Sequence, residues 1–159
     1  MNIKEIDMNS KLYPQKLLEI ENPPKKLFVL GDETLLNNRS ISVIGSRCCT
    51  TYGVNVAKTF TNMLALNGLT IVSGMAKGID SQAHLGAIEV GGKTIAVLGS
   101  GFNYIFPNKK IFNIILENKG TIITEYEPDV EVFSQGFRDR NRIVAGLSSR
   151  NIGYRSKSK

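Results

Sequence analysis

Histidine and cysteine are scarce in this sequence, and the few that occur are not spaced as metal ligands. The chain has one histidine, His84, and two cysteines, Cys48 and Cys49, which are adjacent. Adjacent cysteines do not fit the spacing of a zinc site, and a single pair does not build a disulfide framework. We expect the cysteines to be small apolar side chains in a turn and His84 to be a packing residue. Outside an acidic loop at 127–135 the carboxylates are not clustered either, so we expect no catalytic residues, no metal and no cofactor, which favours a binding protein over an enzyme.

Long apolar runs are also missing. No stretch of the sequence is apolar for long enough to span a bilayer, and residues 1–7 do not form a signal-peptide pattern. These absences predict a soluble, intracellular protein, placed in the cytoplasm and not in a membrane. The length of 159 residues and the 42% apolar content suit one globular domain with a sizeable core.

The excess of positive charge is concentrated at one end of the chain. The formal net charge is +6, and the last ten residues contain four basic residues and no acidic ones, which leaves only +2 for the rest. Net charge of this size is a weak argument for nucleic-acid binding, because a charged run is usually just solvated surface.

The sequence does contain three apolar runs that each end in a glycine. They are Ile41–Gly45, Thr70–Gly74 and Thr94–Gly99. Each is typical of a buried parallel strand, and the carboxyl ends of such strands meet at one edge of the sheet, where α/β proteins bind ligands. Small, hydroxyl-bearing or basic residues occupy the three turns: Gly45, Ser46, Arg47, Gly74, Lys77, Gly78, Gly99, Ser100 and Gly101. Together they predict a crevice that binds phosphate through backbone N–H groups, a lysine and an arginine.

Strands and amphipathic helices alternate from Ile41 onward. The predicted core strands are 41–45, 70–73, 94–98 and 121–126, and a further short strand is predicted at 27–30 before them. The predicted helices are 52–67, one capped by Asp80, one from Ile111 to Gly120, and 141–147. This alternation predicts an α/β fold, a Rossmann-like three-layer αβα arrangement with a mainly parallel sheet, right-handed crossovers and four core strands, incomplete at the C-terminus. We expect residues 1–36 to be a lead-in or linker, 37–149 the Rossmann-like domain, and 150–159 a basic disordered tail.

Two segments resemble nucleotide-binding motifs but lack a residue that each motif requires. Gly92-Lys93-Thr94 resembles the end of a P-loop, but Ala87 stands where the earlier glycine belongs, and the segment runs from helix into strand. The turn that begins at Gly99 starts like a dinucleotide fingerprint but has Tyr104 where the third glycine belongs. We therefore expect neither motif to operate, and NAD is not the expected ligand.

For several side chains near the turns, the sequence alone allows two interpretations. Arg47 could hold a phosphate in bidentate fashion, or it could pair with a neighbouring carboxylate. The aromatic residues Phe102, Tyr104 and Phe106 could stack on bases, or they could belong to the core. The triplet Arg140, Asn141 and Arg142 is predicted at a helix start, where arginine opposes the helix dipole, and an anion held between the arginines would explain that placement.

Taken in order, these motifs resemble the DNA-processing protein A family, also called DprA or Smf. The matching segments are Gly45-Ser-Arg47, Ser73-Gly-Met-Ala-Lys-Gly-Ile-Asp80 with Ala83-His84, Ala96-Val-Leu-Gly-Ser-Gly101, Thr124-Glu-Tyr126 and Arg140-Asn-Arg-Ile-Val-Ala-Gly-Leu-Ser148. The lead-in motifs Tyr13-Pro14, Asn22-Pro-Pro24 and Gly31-Asp32 also match, so the resemblance covers nearly all of the chain up to about Ser148.

The resemblance implies an extended Rossmann fold without enzymatic activity that binds single-stranded DNA. In naturally transformable bacteria the family protects incoming strands and loads the recombinase RecA onto them, and it forms homodimers. Carried onto this sequence, the glycine turns, Arg47, Lys77 and the triplet Arg140, Asn141 and Arg142 would line the DNA groove.

The chain departs from the family pattern in three places. Residues 136–139 lack the prolines that often precede the Arg-Asn-Arg triplet, and Lys110 stands where the family usually has asparagine. After Ser148 the family continues with an apolar strand, which a polar, basic segment replaces here, so we expect a truncated chain. Two other functions remain open: a nucleotide phosphoribohydrolase of the lysine decarboxylase-like type, whose Pro-Gly-Gly-x-Gly-Thr segment is missing, and a non-functional remnant.

Overall fold

The sheet is mixed and larger than the sequence suggests. The computed structural model describes residues 1–105 and 108–148, and in them six strands form one sheet of order β1-β2-β6-β5-β4-β3. The strands are β1 (Lys4–Asp7), β2 (Lys26–Gly31), β3 (Ser40–Ser42), β4 (Thr70–Ser73), β5 (Thr94–Val97) and β6 (Thr121–Thr124). The helices are α1 (Thr51–Leu66), α2 (Ile79–Glu89), α3 (Lys109–Glu117) and α4 (Ser134–Leu147), with 3₁₀ segments at Gln15–Glu19 and Glu33–Asn37.

The four strands β3 to β6 are parallel and alternate with helices, which confirms the predicted Rossmann-like α/β fold. The expected number of four core strands is too low for the described residues, because β1 and β2 extend the sheet antiparallel beside β6. In β1 only Ile6 is buried, so the strand lacks the alternation of apolar and polar residues by which strands are predicted from a sequence. The predicted tail 150–159, the boundary at 149 and the residues Phe106 and Pro107 lie outside the described residues.

Alternating side chains of the strands build an apolar layer on each face of the sheet. On one face Val72, Val97 and Ile123 pack with Ile143 of α4 and with the lead-in residue Tyr13. The opposite face packs against the other three helices, with contacts of α1, α2 and α3 to the strands. The sheet is thereby covered on both sides, which fixes α4 on the face opposite α1, α2 and α3. No helix in the described part of the chain has both the length and the apolar character to cross a membrane.

Helix boundaries differ from the prediction mainly at α4, which begins at Ser134 and not at Asn141. The segment 134–140 is polar, so its sequence gives no helical periodicity, and the triplet that starts at Arg140 lies in the middle of the helix and not at its start. On α1, Thr50 caps the helix, with its hydroxyl accepting from the N–H of Gly53. Met63, which the apolar periodicity of α1 predicts to be buried, is 55% exposed.

The single histidine is sealed inside the fold, as expected of a packing residue. His84 is fully buried, and its Nδ1 lies 2.7 Å from the hydroxyl of Thr94. That hydroxyl donates to the carbonyl of Ile71, so it accepts from Nδ1, which must carry the proton. Nε2 has no hydrogen-bond partner among the described residues. Burial, together with the positive charge of Arg140, lowers the pKa of His84 to about 3.

This buried imidazole predicts acid sensitivity of the fold. The pKa of His84 is lower in the folded chain than its unfolded value of about 6.5, so its contribution is complete above pH 6.5 and is lost as the pH falls from 6.5 toward 3. We expect the free energy of unfolding to fall by about 2 kcal/mol between pH 7 and pH 5. Urea unfolding at both values, with His84→Leu as the comparison, measures it; equal losses in both chains would contradict this origin.

Candidate functional site

The carboxyl ends of β3, β4 and β5 open into a cavity of about 380 Å³. The turns after these strands form one wall, and α4 closes the other. The lining residues are Arg47, Gly74, Met75, Ala76, Lys77, Leu98, Gly99, Ser100, Tyr104, Ile105, Asn108, Phe137 and Arg140. Residues from each of the three predicted glycine turns therefore line this cavity, at the edge of the sheet where α/β proteins bind ligands.

Arg47 stands at this cavity without an acidic partner. Its guanidinium lies over the ring of Phe137, 5.9 Å from the ring centroid, and none of the described residues forms an ion pair or hydrogen bond with it. The alternative that Arg47 pairs with a carboxylate is therefore not realised within residues 1–105 and 108–148. An exposed guanidinium held only by an aromatic face remains able to bind an anion.

Lys77 is the second cation at the cavity. It is exposed, and among the described residues nothing forms a salt bridge with it. Gly78 follows it with a φ of +83°, and a Cβ there would lie 2.3 Å from the carbonyl oxygen of Ser46. The N–H of Ile79 donates to that same carbonyl at 3.1 Å. The Lys77 turn and the Arg47 turn are thus in contact, and a glycine at position 78 is what permits it.

Asp80 has a different role from the helix cap that its position suggests. Gly78 is the N-cap residue of α2, and the buried carboxylate of Asp80 accepts from the N–H groups of Gly74 at 3.1 Å and of Gly45 and Ala76 at 3.4 Å. Burial raises the pKa of Asp80, and the charge of Arg140 opposes that rise. Asp80 therefore ties the turn after β3 to the turn after β4, and it occupies the N–H groups of Gly45 and Gly74.

Arg140, on α4, is a second buried charged residue that bonds to the backbone of the turns. It is only 4% exposed, and its Nη1 donates to the carbonyl oxygens of Gly74 at 2.6 Å and Val97 at 2.7 Å. Its guanidinium also lies 5.8 Å from the centroid of Phe137. Arg140 thus joins the ends of β4 and β5 to α4, so it shapes the cavity from behind.

The other two members of the triplet do not reach the cavity. Arg142 donates to both carboxylate oxygens of Glu125, at 2.7 and 2.8 Å, and to the carbonyl of Asn22. These bonds hold α4 to the end of β6 and to the lead-in segment. Asn141 is exposed, and its side-chain oxygen accepts from Nε of Arg140 at 3.0 Å. The structure therefore brings Arg140 alone of the triplet to the cavity.

The turn after β5 packs closely against other segments of the same chain. A Cβ at Gly99 would lie 2.9 Å from the ring of Phe137, and a Cβ at Gly101 would lie 2.1 Å from the carbonyl of Glu127. The N–H of Gly101 donates to Val130, and the hydroxyl of Ser100 donates to the carbonyl of Tyr104. Gly99 and Ser100 line the cavity, whereas Gly101 sits behind it against the acidic loop.

Two residues of the site have no clear signal in the sequence. Phe137 is an aromatic in a polar segment without helical periodicity, yet its ring carries both Arg47 and Arg140. Met75 has a φ of +61°, a conformation rare for a side-chain-bearing residue, and the side chain of Asn108 donates to its carbonyl. Of the aromatic candidates, Phe102 is 1% exposed and belongs to the core, while Tyr104 lines the cavity.

Known proteins are similar to this chain in sequence and in fold. The model of the family described as DNA recombination-mediator protein A matches residues 4–159. Protein Smf of Escherichia coli is 40% identical over 145 residues, covering 90% of this chain and 39% of that protein. The DNA processing protein DprA of Bacillus subtilis is 36% identical over 159 residues, covering 99% of this chain and 54% of that protein. The chain thus spans about two fifths to half of the length of these relatives.

Two solved structures are similar over almost the whole chain. DNA processing protein A of Streptococcus pneumoniae superposes with a TM-score of 0.86 at 35% identity, covering 96% of this chain and 54% of that one. DNA processing protein A of Helicobacter pylori, which is described as having a unique single-stranded DNA binding mode, gives a TM-score of 0.86 at 31% identity. That match covers 100% of this chain and 72% of the other.

Proposed function

The chain belongs to the DNA recombination-mediator protein A family, and from that premise we propose that it binds single-stranded DNA at the cavity beyond β3, β4 and β5. The observation that carries the proposal is the pair of cations, Arg47 and Lys77, at the cavity with no ion-pair partner among the described residues. Phosphate is the anion for which such a pair, placed on adjoining turns, is suited.

The form of the cavity supports a single strand as ligand. Its volume of about 380 Å³ is at the small end of ligand pockets, and its walls include the apolar side chains Met75, Leu98 and Phe137. A nucleobase can enter such a space only when it is unstacked and unpaired, which a single strand allows at little cost. We propose that one base occupies the cavity and that Arg47 and Lys77 hold the adjoining phosphates.

The proposed contact residues are a subset of those named from the sequence. Arg47, Lys77, Gly99 and Ser100 line the cavity and are assigned to the ligand, and Ser46 and Gly78, which adjoin the two cations in the chain, are proposed as flanking contacts. Gly45, Gly74, Gly101 and Arg140 are assigned to holding the turns, because their polar groups are bonded within the protein. Arg142 and Asn141 are assigned to the fixing of α4.

We propose a binding role without catalysis. His84, the only histidine of the chain, is sealed beneath the sheet, and the carboxylate of Asp80 is bonded to backbone N–H groups. Among residues 1–105 and 108–148 no group of three His, Cys, Asp or Glu side chains could hold a metal ion. A phosphoribohydrolase would need a base or acid at the cavity, so release of free base from a nucleoside monophosphate would revive that alternative.

The wider role follows from family membership. We propose that the chain acts on single-stranded DNA in the cytoplasm, in DNA uptake and RecA-dependent recombination, with RecA as the partner that receives the strand. A homodimer is part of the same proposal, and light scattering with and without DNA tests it. The domain division is kept as a proposal too, with 37–149 as the DNA-binding unit.

A competition titration tests the binding proposal. A fluorescent oligothymidylate is titrated with the full chain at two salt concentrations, with unlabelled single strand, duplex and thymidine monophosphate as competitors. We expect the single strand to compete best and the affinity to fall as salt rises, because phosphate contacts release counterions. Competition by duplex equal to that by single strand would contradict a site for an unstacked base.

A further inference from the structure

Two exposed aromatic residues lie close in the chain to residues that line the cavity, and the function proposed above uses neither. Tyr52 lies in the first turn of α1, five residues after Arg47, and is 77% exposed. Phe133 is the N-cap residue of α4, one helical turn before Phe137, and is 72% exposed. A large aromatic side chain held in solvent offers a face on which a nucleobase can stack. Each therefore marks a direction in which a strand could leave the cavity.

The chain segments that carry the two aromatic residues differ in charge. No aspartate or glutamate occurs from residue 34 to residue 79, a stretch that contains Arg39, Arg47, Lys58 and Lys77. The one salt bridge of α1 among the described residues joins Lys58 to Glu89, almost two turns beyond Tyr52. The surroundings of Tyr52 along its own segment are therefore neutral or positive.

Phe133, in contrast, follows an acidic loop. Glu127, Asp129 and Glu131 all lie on the loop that leads to it, and all three are exposed. Asp129 is engaged by the side-chain amide of Asn103, but the other two carboxylates have no ion-pair partner among the described residues. A polyanion that leaves the cavity on this side meets like charge, which costs free energy.

The geometry points to one path: a single strand bound in the cavity continues over the amino end of α1, with a base stacked on Tyr52. This inference rests on the proposed function, since the strand must first be held at the cavity. Five residues separate Tyr52 from Arg47, and a chain of that length spans at most about 18 Å, so the two side chains can serve neighbouring nucleotides. Tyr52 is then a binding residue for a base outside the cavity.

Binding of two probes by four chains tests this path. The probes are a labelled twelve-residue oligothymidylate and, as competitor, a thymidine dinucleotide that fills only the cavity; the chains are wild type, Tyr52→Ala, Tyr52→Phe and Phe133→Ala. We expect Tyr52→Ala to bind the long probe about tenfold more weakly, since one stacking contact is lost, and to bind the dinucleotide as wild type does. Tyr52→Phe keeps the aromatic face at the proposed stacking position, and Phe133→Ala removes an aromatic residue that does not lie on the proposed path. Both variants should therefore bind the long probe with the affinity of wild type, within about twofold.

A tryptophan reporter gives an independent readout. The chain has no tryptophan, so Tyr52→Trp introduces a single fluorophore at the proposed stacking position. The twelve-residue probe should quench its emission, and an abasic oligonucleotide of equal length should not. Unchanged affinity in Tyr52→Ala, an equal loss in Phe133→Ala, or unquenched indole emission from the Tyr52→Trp chain while wild type binds would overturn this inference alone. Failure of wild type to bind either probe would overturn the proposed function and this path with it.

Discussion

Arg47→Ala is expected to weaken binding of single-stranded DNA about 10- to 100-fold, equally for every sequence. The guanidinium is free of ion pairs among the described residues, so its loss removes a charge-assisted contact to phosphate worth about 1.5–3 kcal/mol. The fold should be almost unaffected, because the side chain is exposed and only its contact with Phe137 is lost, at about 1 kcal/mol or less. Anisotropy titrations and urea unfolding measure the two effects separately.

Arg39 supplies the matched control for this substitution. It is an exposed arginine immediately before β3, whereas Arg47 follows that strand, so the same charge is removed at the opposite edge of the sheet. Arg39→Ala should bind as wild type does. The dependence of log affinity on log salt should become shallower by about 0.7 in Arg47→Ala alone, as expected for one lost phosphate contact on a single strand. Equal losses in both variants would mean that only net charge matters.

Arg140→Ala is expected to act on stability and not directly on the ligand. Removal of this side chain takes two hydrogen bonds from the carbonyls of Gly74 and Val97 and leaves the carboxylate of Asp80 buried without its nearby positive charge. Hydrogen bonds from a charged donor contribute about 1.5–3 kcal/mol each, so the loss of both costs about 3–6 kcal/mol. For a chain of this size, such a loss corresponds to a fall in melting temperature of about 6–24 °C.

Arg138 provides the comparison for that experiment. It lies on the same helix, is exposed and bonds only to Gln135 among the described residues, so Arg138→Ala should change the free energy of unfolding by about 0.5 kcal/mol or less. Differential scanning calorimetry of the three chains gives the result. If Arg140→Ala melts with wild type and yet loses DNA binding, Arg140 contacts the ligand, and the bracing role assigned to it is wrong.

The position of the cavity could be predicted from the sequence because it depends on local patterns. Buried runs such as Thr70–Ser73 end in glycine, and the geometry of parallel strands then requires their turns to meet at one edge. In the lead-in, the apolar run 27–30 predicts β2, but β1 was harder to place. β1 buries Ile6 alone, and its antiparallel pairing with β2 depends on contacts that no local pattern records.

The roles of the charged residues could not be predicted, because they are set by contacts distant in the chain. Asp80 and Arg140 are 60 residues apart, yet both bond to Gly74, one to its N–H and the other to its carbonyl. From the sequence, Asp80 suggests a helix cap and Arg140 a phosphate ligand. The partner of Arg142, Glu125, comes from the strand end beside α4 and likewise has no signature in the sequence.

The most direct test of the account is to map where a bound single strand touches the protein. A 5-iododeoxyuridine oligonucleotide is photocrosslinked to the full chain, and the modified peptides are identified by mass spectrometry. We expect crosslinks to residues at the cavity, chiefly Tyr104 and Phe137, and further crosslinks to Tyr52 with longer oligonucleotides. Crosslinks confined to β1, β2 or the amino ends of the parallel strands, with none at the cavity, would contradict it.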